Sequence, residues 1–93
     1  MAKIFNNSKG FKVIEISRRE MLDNLSKYGS VGICDMCIDA PETGYYVAAL
    51  NMWLCRECLE AFIRSSKRHD EDMPAEERNF KLYCKIFGVD AEL

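Results

Sequence analysis

Four of the five cysteines stand in two C-x-x-C pairs, Cys34-Asp35-Met36-Cys37 and Cys55-Arg56-Glu57-Cys58, with seventeen residues between them. Thiolate sulfur is a soft ligand, and Zn²⁺ takes four such ligands in a tetrahedron, at about 2.3 Å each. Two cysteines three positions apart reach one ion from a single tight turn. The expected site is therefore one structural Zn²⁺ per chain, held by Cys34, Cys37, Cys55 and Cys58. A catalytic zinc keeps a coordination position open, and four cysteines close the shell. The only histidine, His69, lies outside the motif and reads as a solvated residue beyond a helix end. Cys84 falls on an apolar helix face and reads as a small core residue.

Other chemistries use the same residues. A rubredoxin-like iron site shares the spacing class but usually has glycine after each pair, where Ile38 and Leu59 stand here. A thioredoxin-like dithiol wants tryptophan directly before its first cysteine. Trp53-Leu54-Cys55 misses by one, and a second pair is left over. Disulfides suit oxidising compartments. Residues 1–7 contain no apolar run and no cleavage site, and no stretch nears the ~20 apolar residues of a membrane span. The expected setting is cytoplasmic and reducing, with no membrane partner.

The elements that must position the cysteines can be read in turn. Residues 1–30 form an N-terminal strand–helix extension. Ile4-Phe5 and Phe11–Ile16 flank a turn-rich Asn6–Gly10 stretch. Ser17-Arg18-Arg19-Glu20 is a capping box that opens a helix, with Met21, Leu22, Leu25 and Tyr28 on one face and Gly29 at its end. Residues 31–68 are the Cys₄ zinc module. Pro41–Gly44 reads as a turn, and Tyr45–Leu50 and Met52–Leu54 as strands meeting at Asn51. A helix over 56–67 follows, with Leu59, Phe62 and Ile63 in a stripe. Residues 69–93 are a polar connector and a C-terminal helix. Pro74 sits in its first turn, Phe80, Tyr83, Cys84 and Phe87 on its buried face, and Gly88 at its end. The whole is one compact α+β domain. At 93 residues it buries a modest core, and a metal staple suits it.

Knuckle, hairpin, then a helix carrying the last two ligands is an order that resembles the treble-clef zinc finger, across residues 33–67. The spacing C-x2-C-x17-C-x2-C is similar to that of GATA-type fingers. Cys-Asp-Met-Cys with Trp-Leu-Cys-Arg-Glu-Cys-Leu-Glu-Ala-Phe also resembles the N-terminal zinc-binding domain of the Clp unfoldase family. The first resemblance implies DNA binding. The second implies dimerisation and docking of substrates or adaptors, in a bacterial or phage-like cytosol.

Charge separates the two. Residues 1–33 carry six basic and three acidic groups, whereas residues 34–68 carry four and five and residues 69–93 three and seven. Four thiolates and one Zn²⁺ bring the middle segment to about −3. Fingers that bind DNA present basic faces, and here no Lys or Arg occurs from 38 to 54. Arg64, Lys67 and Arg68 form a local basic cluster, able to meet Lys and Arg side chains of the N-terminal part. The Tyr45–Trp53 hairpin is apolar on both faces. One face should cover the Leu59 stripe. The other is completed by the added helices or serves self-association or partner docking. The function expected is that of a structural zinc protein acting as an adaptor or regulator through protein–protein contacts, with nucleic-acid binding as the alternative. No nucleophile–base pair, phosphate loop or acid/base pair points to an enzyme.

Overall fold

The chain is an α+β fold in which one four-stranded antiparallel sheet carries helices on both faces. The computed structural model describes residues 2–25, 32–67, 71 and 73–89. The strands are β1 (Lys3–Ile4), β2 (Val13–Ser17), β3 (Thr43–Val47) and β4 (Met52–Leu54), in the order β1-β2-β3-β4. The helices are α1 (Arg18–Leu25), α2 (Arg56–Ser65) and α3 (Met73–Phe87). The sheet runs without interruption from the N-terminal strands into the hairpin of the cysteine region.

Local chemistry explains most of the boundaries. Between β1 and β2, the Asn7 side chain accepts from the Phe11 amide at 3.1 Å and donates to the Phe11 carbonyl at 2.9 Å, closing the loop. The capping box is formed: the Glu20 amide donates to Ser17 Oγ at 3.1 Å, and the Ser17 amide donates back to Glu20 Oε1 at 3.4 Å. Burial acts to raise the Glu20 carboxyl, but the bonds from Ser17 and Ala2 outweigh it and hold the carboxyl below its ordinary value. Its contribution is therefore present above the ordinary carboxylate range and lost as pH falls through the lowered value. Ser17→Ala should destabilise the chain by about 1 kcal/mol, read by denaturant unfolding. At the far end, Gly88 takes φ 71°, and Val89 donates to the Cys84 carbonyl, which stops α3.

Burial follows strand alternation. Ile14, Tyr46 and Trp53 stand in one cross-strand row. With Ile16, Ala48, Met21 of α1 and Phe80 and Cys84 of α3 they form one core cluster. Val13, Val47, Tyr45, Leu54 and Leu59 form the other, with Phe11, Cys34 and Cys55. Tyr46 and Tyr83 stack at 3.6 Å between centroids, and Tyr46 donates its hydroxyl proton to Asn51 Oδ1 at 2.7 Å. α3 also docks by polar hooks. Buried Glu76 accepts from the Lys12 amide at 3.0 Å, and Asn79 donates to the Ala48 carbonyl at 3.1 Å. Lys9 Nζ reaches the end of α2, bonding the Arg64 and Ser66 carbonyls at 3.2 and 2.7 Å.

Some expected boundaries shift and other expectations hold. β3 starts at Thr43, so Thr43 and Gly44 are strand rather than turn, and the hairpin turn begins at Ala48. α2 ends at Ser65, where Ser65 Oγ and Lys9 take its last carbonyls. The hairpin face left open between the added helices and a partner is covered within the chain: Tyr46, Ala48 and Trp53 are buried against α1 and α3, while Tyr45, Val47 and Leu54 are buried on the Leu59 side. Asn51 takes the left-handed conformation expected of it, φ 55°. The Leu25 side chain, Tyr28, Gly29, Arg68 and His69 lie outside the described residues.

Candidate metal centre

Two elements bring the cysteines together. A tight loop after residue 33 supplies Cys34 and Cys37. In it the Ile38 amide donates to the Cys34 carbonyl at 3.0 Å and the Cys34 amide to the Asp39 carbonyl at 2.7 Å. The start of α2 supplies the other two: Cys55 is its N-cap and Cys58 lies in its first turn. Amides without helical partners point outward there, which favours thiolate.

The four sulfur atoms lie within 4.8 Å of one another, and among the described residues no other group of three or more potential ligands converges in this way. A tetrahedron with metal–sulfur bonds of about 2.3 Å has sulfurs about 3.8 Å apart. Cys37 Sγ and Cys55 Sγ stand at 3.6 Å, so the set fits one ion with small adjustments. Cys34 and Cys55 are buried, Cys58 half-buried and Cys37 exposed. Cys84 belongs to the opposite core cluster, away from the four.

The electrostatics of the set point the same way. Burial acts to raise the Cys34 thiol, but amides of Cys55, Cys37 and Met36 outweigh it and bring it down to about 7. Burial and the three neighbouring sulfurs push Cys58 up. The Asp39 amide draws Cys37 down, yet the Cys55 and Cys34 sulfurs more than offset that and leave it raised. Cys34 is thus the thiol that ionises readily, and its sulfur opposes the ionisation of Cys37 and Cys58. A divalent cation at the centre reverses that penalty.

Sequence reading missed the residues that hold this geometry. Asp35 pairs with β4 twice: its amide donates to the Trp53 carbonyl at 3.0 Å, and its carboxylate accepts from the Trp53 amide at 2.9 Å. This fixes the cysteine loop to the sheet edge and occupies that edge's hydrogen-bonding groups. Its position between two ligands was the only signal. Asp35→Ala should lower Zn²⁺ affinity about tenfold in a chelator competition while the chain remains folded. Arg56 plays the matching part for α2. Its guanidinium lies 5.1 Å from the Phe5 centroid and bonds the Tyr45 hydroxyl at 3.1 Å.

Ile38 is the outlier of the loop. It takes φ 60°, a region that costs an L-residue roughly 1–2 kcal/mol and suits a β-branched one least. It is also 77% exposed, and Met36 is 51% exposed.

No protein-family model, no curated protein and no solved structure matches the chain. The likeness to GATA-type and Clp-type modules therefore rests on the cysteine motif and its local order alone. Among the described residues no helix is long and apolar enough to cross a membrane.

Proposed function

We propose that the chain is a structural zinc protein of treble-clef type that works as a protein–protein interaction adaptor or regulator, without catalysis. The ion is Zn²⁺: an all-thiolate tetrahedral set suits it, and the fold gains a staple. The observation that carries the interaction reading is the cysteine loop itself. It supplies two of the four sulfurs of the cluster and holds Met36 and Ile38 in solvent beside them. Surplus negative charge around it disfavours phosphate.

One contact supports nucleic-acid binding as the second reading. Lys9 Nζ bonds the Arg64 and Ser66 carbonyls, which brings a cation from the N-terminal part to the end of α2, where Arg64 and Lys67 stand in sequence. The two readings part in a pull-down from host lysate with zinc-loaded chain, with and without nuclease, at low and high salt. A protein partner retained after nuclease and at high salt supports the adaptor reading. Binding that disappears with nuclease, and depends on Arg64 and Lys67, overturns it in favour of the second.

A further inference from the structure

We infer that the exposed rim of the cysteine loop is the docking point, and that its occupant is a protein segment presenting an apolar side chain flanked by Lys or Arg. This rests on the adaptor reading and gives it a place and a partner chemistry.

Three observations converge on the loop. Ile38 is held at φ 60°, yet its side chain is 77% exposed and gives the fold no core packing in return. The bond it makes, amide to the Cys34 carbonyl, is one that glycine would make without strain. A strained backbone that displays a branched apolar group marks a site whose use lies outside the folded chain. Met36, the other exposed apolar residue of the loop, stands on the far side of Cys37. Of the four exposed large hydrophobics among the described residues, these two alone share a loop; the others, Met73 and Leu82, lie apart on α3.

Charge selects the occupant. Asp35 and Asp39 flank the pair and are exposed, as is Glu42 beyond them. Four thiolates around Zn²⁺ add two negative charges at the centre of the loop. An apolar anchor with cationic neighbours satisfies both features. An anionic membrane or a nucleic acid would be repelled. A second copy meeting loop to loop would bring like charges together. Because Cys34 and Cys37 hold the loop, docking requires the metal.

The test uses the zinc-loaded full chain as bait for a random peptide library displayed on phage. Enriched peptides should carry an aliphatic or aromatic residue flanked by Lys or Arg. Synthetic copies should lose affinity about tenfold or more against Ile38→Gly and Met36→Ser, as expected for removal of an anchor contact. Lys→Glu changes in the peptide should abolish binding, and Asp39→Asn in the chain should weaken it. Ile38→Gly relieves the left-handed strain, so its Tm should equal or exceed that of the parent and its zinc content stay the same. Selected peptides indifferent to both loop variants overturn the inference and leave the adaptor reading standing. A library that yields no binder overturns both. Dimerisation of the chain abolished by Ile38→Gly, or competition of the peptides by RNA, also overturns the occupant assigned here.

Discussion

Cys34→Ser should abolish metal binding and with it the cooperative thermal transition of the chain. Metal binding to a four-ligand structural site contributes roughly 10–16 kcal/mol of apparent free energy at neutral pH. A domain of this size is stable by about 5–10 kcal/mol in total. Cys34 is fully buried in the core cluster that also holds Leu54, Cys55 and Leu59, so the loss is not confined to a surface loop. Without the ion, the raised Cys37 and Cys58 thiols have no reason to ionise, and the loop keeps the Asp35 bonds to β4 and the packing of Cys34 but loses its four-way tie to α2. The sheet joins both core clusters, so loosening one face weakens the other. Cys84→Ser is the control. It changes a thiol of similar burial on the opposite face and should cost only about 1–2 kcal/mol. Circular dichroism during heating separates the two: no sharp transition for Cys34→Ser, a modestly lowered one for Cys84→Ser.

Gly44→Ala should be the most damaging single change away from the cysteines. The Trp53 indole lies across Gly44, and an added Cβ would stand far inside van der Waals contact of its ring, 2.7 Å from Nε1 and nearer still to Cε2 and Cζ2. Gly44 sits within a strand, so the backbone has little room to yield. The indole must leave. It would take with it the bond from Trp53 Nε1 to the Ile16 carbonyl and its place in the cluster of Ile14, Tyr46 and Phe80. Overpacking of this kind, with the indole's hydrogen bond lost as well, costs about 3 kcal/mol. For a chain of this length that lowers Tm by roughly 10–20 °C. The sequence holds a single tryptophan, so its fluorescence reports the displacement directly. A red-shifted emission in the folded state is expected. An unshifted spectrum with an unchanged Tm would show that the indole does not depend on this glycine.

Gly44 also shows why parts of the fold were not legible in sequence. In Pro41-Glu42-Thr43-Gly44 every residue type suits a turn, so a turn was the natural reading. The glycine is there because a ring from the next strand crosses it, which is a tertiary reason that no local pattern carries. Asp35 was opaque for the same cause: its two bonds go to Trp53, eighteen positions away. The features that were legible are local ones. Ser17 and Glu20 cap their own helix, and the spacing of each cysteine pair brings both its sulfurs into one four-sulfur cluster. Phe80 and Cys84 repeat on one helix face at a four-residue interval and are buried together. The hairpin lay between these cases. Its two apolar faces were plain in Tyr45–Leu50, but residue types alone left open whether the chain or a partner would cover them. α2 with Phe11 covers one face, and α1 with α3 covers the other.

The central claim is that Cys34, Cys37, Cys55 and Cys58 hold one structural zinc. Elemental analysis of the chain, purified without added metal or chelator and run beside a protein-concentration standard, tests it most directly. The predicted result is one zinc per chain, falling to none in Cys34→Ser. A folded chain, with an intact thermal transition, that contains no stoichiometric zinc or carries iron in its place would contradict it.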